Sequence, residues 1–179
     1  MSIQSRNPDD LEKMIGNPAA PVKTPDSRQY DMRIARDGTW FHQGGPIKRM
    51  ALVKLFATVL RCDQAGDFWL VTPVERGRIE VEDAPFVAVE LRAEGEGKAQ
   101  MLRLRTNLDQ WVDVGADHPI RVAQDPDTGE PAPYVLVRDN LEALISRAVF
   151  YELAELAQPD GAMLGVWSAG EFFALGPAE

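Results

Sequence analysis

The sequence predicts an α+β protein: two small antiparallel β-sheet domains related by duplication, each packed with one long helix. Three observations lead there. Short runs of alternating or continuous apolar residues, bounded by Gly, Pro and Asp, recur along the chain and read as strands. Two longer stretches, 47–61 and 140–158, carry apolar residues at helical spacing. Each of those stretches is followed by a Gly turn and a strand containing Trp, Trp69 in the first half and Trp167 in the second, which reads as a repeat. The hairpin around Trp40, Phe41 and Gly44 is echoed around Trp167, Gly170 and Phe173.

Taken in order, residues 1–29 hold Pro8, Pro18, Pro21 and Pro25 among scattered charge. They read as an extended or weakly ordered tail, with a short helix over 9–16. The first α+β domain is placed at 30–84. It opens with Tyr30, Met32 and Ile34 in alternation, and turns at Asp37-Gly38 into Trp40-Phe41, a hairpin signal. Residues 42–46 read as a turn, with Pro46 at the first position of a helix over 47–61, where its missing N–H costs nothing. Leu52, Leu55, Phe56, Val59 and Leu60 form that helix's apolar stripe. A strand over 68–72, a turn at Pro73 and a polar-alternating strand over 78–82 follow.

The second α+β domain is placed at 85–179. Strands are expected over 86–92, 101–105, 111–114, 120–122 and 134–137, separated by turns at Glu94-Gly95-Glu96-Gly97 and Asp125-Pro126-Asp127-Thr128-Gly129. Asp139, with Glu142 three residues on, has the spacing of a capping box and is expected to open the second long helix. Pro159-Asp160-Gly161 stops it, and residues 165–175 close the chain as a tight hairpin.

Composition narrows the function classes. Of 179 residues, 45% are apolar, enough for a packed core, and 19 basic residues against 28 acidic ones leave a net charge of −9. A field of that sign repels polyphosphate and anionic lipid, so nucleic acid and membrane are poor partners. Cys62 is the only cysteine, which excludes an internal disulfide framework. Residues 1–14 lack an apolar signal core, and no apolar run reaches the ~18 residues of a spanning helix. A cytoplasmic protein is expected.

The chemistry is mostly negative. His42 and His118 with one cysteine give no metal spacing. Ser168, in Gly165-Val166-Trp167-Ser168-Ala169-Gly170, approaches a nucleophile elbow, but the first Gly stands one residue too far away and a strand follows instead of a helix; a turn serine is the better reading. Cys62, beside Arg61 at a helix end, reads as a bystander thiol. Paired carboxylates such as Glu80 and Glu82 read as a solvated face, and no catalytic residue is assigned. There is no phosphate loop and no dinucleotide fingerprint, and no cofactor is called for.

Two places suit an anion. Gly44-Gly45-Pro46 leads into a helix without an obvious cap, and Lys48 and Arg49 stand in its expected first turn; free N–H groups, a positive helix end and two cations would hold phosphate or carboxylate. The alternative is Gly45 as a neutral cap with Lys48 and Arg49 solvated. Arg103 and Arg105 share one face of their strand, and Thr106-Asn107 ends it with hydrogen-bonding groups. The alternative there is a salt-bridged strand.

The segments Trp40-Phe41-His42-x-Gly44-x-Pro46-Ile47, Thr72-Pro73-Val74-Glu75, Ile79-x-Val81-Glu82-Asp83-Ala84-Pro85-Phe86, Arg105-Thr106-Asn107 and His118-Pro119-Ile120 resemble a bacterial family of unknown function, DUF1285. The likeness runs over about 31–175. It implies a two-domain fold with internal duplication, the C-terminal half superficially like a pleckstrin-homology fold. It also implies a ligand site at the domain interface for a nucleotide-type molecule, and a role in signal transduction. No catalytic residue comes with it. Thr72, Pro73, Glu75, Glu82, Asp83, Arg105, Thr106 and Asn107 match the pattern as interface candidates.

The function expected first is therefore a ligand-binding or signalling protein taking a small anionic, nucleotide-like molecule between the halves. Lys48, Arg49 and Arg105 would pair with the anion, and Thr72, Asn107 and Glu75 would hydrogen-bond the rest. The alternatives are an enzyme using Glu75 or Asp83, and a protein–protein module using exposed sheet edges.

Overall fold

The computed structural model describes residues 26–179. The chain forms two compact units, Met1–Asp83 and Ala84–Glu179. It is α+β, with two helices and a majority of strand among the described residues. Strand begins at Asp26, so the last residues of the expected tail are β1; the rest of that tail, with its expected helix over 9–16, lies outside the described residues.

In unit 1, β1 (Asp26–Ile34), β2 (Trp40–His42), β3 (Gly45–Pro46), β4 (Leu60–Cys62), β5 (Phe68–Val71) and β6 (Glu75–Val81) make one sheet in the order β3-β2-β1-β6-β5-β4. All pairs are antiparallel except β1 with β6, which run parallel at the centre. Helix α1 (Met50–Thr58) lies between β3 and β4 in the chain and buries Leu52, Val53, Phe56 and Ala57. Phe56 stacks on Trp40 with ring centroids 6.2 Å apart, and both are almost fully buried. Tyr30, Met32 and Ile34 alternate into the core, as their spacing predicts.

The helix is shorter than the expected 47–61 at both ends. Gln43 and Gly44 take positive φ (51° and 79°) and fold Gly45-Pro46 back onto Phe41 and His42. Pro46 is thus in a short edge strand, where a missing N–H is tolerated, and does not open a helix. At the other end Leu60, Arg61 and Cys62 pair with Leu70, Trp69 and Phe68 as strand. Val59 and Leu60 extend the helical stripe in sequence, but sheet pairing wins them.

In unit 2, β7 (Phe86–Glu94), β8 (Met101–Thr106), β9 (Trp111–Asp113), β10 (Ile120–Gln124), β11 (Pro131–Arg138) and β12 (Leu141–Ile145) form a second sheet, ordered β10-β11-β12-β7-β8-β9. Here too one pair, β12 with β7, is parallel. Helix α2 (Arg147–Glu155) follows β12 and packs Val149 and Leu153 toward β7. Then β13 (Gln158–Asp160), β14 (Met163–Ser168) and β15 (Glu171–Pro177) form a three-stranded sheet. Among the described residues the two units are duplication-like: each has a six-stranded sheet with one parallel pair and one nine-residue helix.

The second helix is also shorter than expected. Asp139 has φ 46° in the turn between β11 and β12, and Leu141, Ala143 and Ile145 are buried in strand alternation. The cap is Ser146, whose Oγ accepts from Val149 N at 3.4 Å. Glu142, expected in a capping box, instead takes two hydrogen bonds from Arg121, both 2.7 Å. The closing hairpin stands where expected, turning at Ala169 and Gly170 with φ 51° and 77°, the signature of a two-residue hairpin turn. Only glycine fits at Gly165, because a Cβ there would meet Phe173 O at 2.2 Å.

Candidate functional site

The residues that the sequence singles out have definite local duties. Thr72, Pro73 and Glu75 belong to the turn joining β5 to β6. Thr72 N and Oγ1 donate to Glu75 O at 2.9 and 3.1 Å, and Glu75 N donates back to Thr72 Oγ1 at 3.1 Å. The Thr72 hydroxyl thus closes the turn in a buried place. Glu75 is 2% exposed, with Arg28 Nη1 3.8 Å from its Oε2. Glu82 accepts from Arg33 Nη1 and, at 2.9 Å, from Arg36 N, while Arg36 Nε lies 3.6 Å from Asp83 Oδ2. Lys48 and Arg49 are exposed and stand before α1, not in its first turn; Arg49 is its N-cap and supplies no side-chain cap.

In unit 2, Arg105 bridges Glu90 Oε2 (2.8 Å) and Asp109 Oδ1 (3.0 Å). The bond from Arg105 holds Glu90 below the usual carboxylate range, and the same bond raises Arg105 above its own. Thr106 is 1% exposed and its Oγ1 accepts from Leu108 N and Gln110 N, both 3.3 Å, in the turn from β8 to β9. Asn107 clips that turn to β7, accepting from Val87 N at 3.0 Å and donating its own N–H to Val87 O at 2.8 Å. Ser168 is fully buried; its Oγ donates to Val114 O at 2.7 Å and accepts from Leu102 N at 2.9 Å. Its hydroxyl is committed to the backbone, which agrees with a turn serine. Among the described residues no group of His, Cys, Asp and Glu could hold a metal, and no helix is long and apolar enough to cross a membrane.

Concavity appears elsewhere in unit 1. An open cleft of about 430 Å³ is lined by Gln29, Asp67, Phe68, Arg78, Glu80 and Glu82, with Gly66, Ile79 and Val81. The pairing of β1 with β6 explains its position. Gln29 pairs with Arg78 and Arg33 with Glu80, so Tyr30, Asp31 and Met32 stand opposite Ile79 alone. That bulge parts the strands locally. The far wall is the turn between β4 and β5. Asp63 Oδ1 accepts from Ala65 N and Asp67 N, both 2.9 Å, and Gly66 takes φ 85°. Asp63 Oδ2 also accepts from Trp69 Nε1 at 2.9 Å, the leading cause holding that carboxyl below its ordinary range. Asp67 is thereby fixed to meet Arg78 Nη2 through Oδ1 at 2.5 Å.

Of the residues chosen from sequence, Glu82 alone lines this cleft. Gln29, Asp67, Arg78 and Glu80 were missed as a group. Arg78, Glu80 and Glu82 are legible as an alternating polar face, but Gln29 joins them only through the parallel pairing of β1, which no local pattern signals.

Two family models together match residues 18–175: the N-terminal domain of DUF1285 over residues 18–84 and the C-terminal domain over 85–175. The chain belongs to the DUF1285 family. Among solved structures, a DUF1285 family protein from Silicibacter pomeroyi DSS-3 is similar at 46% identity and a TM-score of 0.88, with 97% of each chain covered. A DUF1285 family protein from Shewanella baltica OS155 is similar at 25% identity and a TM-score of 0.55, covering 70% of this chain and 91% of that one. Among curated proteins none matches. DUF1285 is a family of unknown function, so membership gives the fold and no activity.

Proposed function

We propose that this DUF1285 protein is a non-enzymatic binding protein whose first unit holds a small molecule in the cleft at the β1 bulge. The observation that carries the reading is the cleft: its volume of about 430 Å³ falls in the range of roughly 300–1,000 Å³ used for small ligands. Its walls combine apolar Phe68, Ile79 and Val81 with convergent polar groups. In contrast, Thr72, Thr106 and Asn107 are engaged by neighbouring backbone, and the Ser168 hydroxyl is buried and bonded to the backbone of Val114 and Leu102. A cytoplasmic place and a signalling role that reports occupancy of the cleft belong to the same proposal; the single cysteine supports the first.

A second reading keeps the anionic, nucleotide-like ligand at the start of α1. It is favoured by Lys48 and Arg49 beside a helix whose N-cap offers no side-chain acceptor and whose first turn has no acidic residue.

A native mass spectrum of freshly purified protein tests the first reading. The expected result is a non-covalent adduct on the wild type that is lost in Glu80→Trp, where an indole at this exposed position of β6 covers the cleft. An adduct that Glu80→Trp retains in full would place the ligand elsewhere.

A further inference from the structure

We propose that Asp160 is a self-modification site, where the backbone rearranges to isoaspartate through a succinimide. The inference concerns unit 2 and does not depend on the cleft. The chain holds two Asp-Gly pairs, Asp37-Gly38 and Asp160-Gly161. Glycine after aspartate favours the reaction, because no Cβ hinders its nitrogen. The reaction needs two free groups: the neutral Asp carboxyl as electrophile and the following backbone nitrogen as nucleophile. The two pairs differ in both. At Asp37, Oδ1 accepts from Thr39 N at 2.9 Å, and Gly38 N donates to Ala35 O at 2.9 Å. The bond from Thr39 N, with one from its side chain, also holds the Asp37 carboxyl below its ordinary range and so keeps it ionised and unreactive.

At Asp160 both groups are free. Among the described residues no donor or cation meets its carboxylate, and no acceptor takes the Gly161 N–H. Gly161 stands at φ 60° in the two-residue turn between β13 and β14. Asp160 pairs with Met163 as the last rung before that turn, and residues 158–164 are all exposed. No buried side chain holds this end of the hairpin shut, so it opens at little cost. The Gly161 nitrogen then attacks Asp160 Cγ. A C–N bond forms, and the carboxyl hydroxyl leaves with the amide proton as water. Water adds back at either carbonyl of the succinimide. Opening at Cγ restores aspartate; opening at the backbone carbonyl leaves the chain running through Cβ and Cγ, which is isoaspartate. One water is lost and one regained, and nothing is oxidised or reduced. The product has one more methylene in its backbone. The pairs Asp160–Met163 and Pro159–Leu164 cannot then both be kept, and the bond from Ala178 N to Ala162 O (2.9 Å) is strained with them.

The test is to age the folded, full chain in warm neutral buffer made with ¹⁸O-enriched water and to read both Asp-Gly peptides by mass spectrometry. Electron-transfer fragmentation separates isoaspartate from aspartate, and the heavy oxygen marks every passage through the succinimide. The expected result is that both signals accumulate at Asp160 about tenfold or more faster than at Asp37, where two hydrogen bonds must first open. In denaturing urea the two pairs are expected to react at like rates, because only the folded structure separates them. Asp160→Glu, whose longer side chain closes its ring far more slowly, is expected to remove both signals from that peptide and leave Asp37 as it was. Equal rates in the folded protein, or label at Asp37 first, overturns the assignment. A folded chain that leaves Asp160 unlabelled while urea labels both overturns it too, since the hairpin then protects the site. A signal that Asp160→Glu retains also overturns it.

Discussion

Phe56→Ala is expected to cost unit 1 about 3–5 kcal/mol, the usual range for truncating a buried aromatic ring. Phe56 is the largest contribution of α1 to the core; it has no exposed surface and stacks on Trp40 at 6.2 Å with an interplanar angle of 27°. Its removal takes away the transfer free energy of the ring and the aromatic pairing, and leaves a void that Leu52, Val53 and Leu60 cannot fill without leaving their own places. Nine residues are too few to be stable alone, so the helix depends on the packing of its buried face, of which Phe56 is the largest side chain. Urea denaturation followed by tryptophan fluorescence measures the effect, since Trp40 is the reporter in contact. A loss below about 1 kcal/mol would mean that α1 is not held by this pair.

Ser168→Ala is the second large effect, and it acts through polarity instead of volume. The side chain is fully buried and joins three segments: β14 itself, the start of β8 at Leu102 N, and Val114 beyond β9. Alanine leaves one N–H and one C=O unpaired in the core at once. Each such group costs about 1–3 kcal/mol, so a total of about 2–6 kcal/mol is expected for the two. The neighbouring contacts Gln100 Nε2 to Trp167 O (2.9 Å) and Ala169 N to Gln100 O (3.1 Å) dock the same hairpin, so the loss also loosens its tip. Thermal unfolding and the exchange rates of the Leu102 and Ala169 amides measure it. An unchanged melting temperature would show that water or a shifted neighbour satisfies both groups.

The fold class was legible because its signals are local. Alternation in Tyr30, Met32 and Ile34, the Asp37-Gly38 and Ala169-Gly170 turns, and the strand-turn-strand spacing of unit 2 each act within a few residues. Helix lengths were not, since residues 139–146 satisfy two periods at once. Leu141, Leu144, Ile145 and Ala148 fit a helix, while Leu141, Ala143 and Ile145 fit a strand. Pairing of β12 with β11 on one side and β7 on the other selects the strand, and neither partner is visible locally. Pro46 shows the same failure: its fit to a helix start was real, but the Gln43-Gly44 turn gives it an edge strand first.

The candidate site was less legible than the fold. Polar residues at turns attract attention in sequence because they are unusual there, yet turns need such groups for their own backbone, as Thr72, Thr106 and Asn107 show. Arg105 reads as a ligand cation until cross-strand register places Glu90 opposite it. The cleft, by contrast, arises from a register irregularity between β1 and β6, two strands separated by most of unit 1. Its residues carry no motif, and only the parallel pairing collects them.

The central claim, that unit 1 holds a small molecule at the β1 bulge, is tested most directly by a crystal structure of the protein soaked with a mixture of small amines, neutral polyols and adenosine monophosphate. Ordered density bounded by Phe68, Arg78 and Glu80, from a compound bound in the cleft, is the predicted result. A cleft filled by nothing but solvent, with density for the nucleotide beside Lys48 and Arg49 at the start of α1, would contradict it and favour the anionic reading.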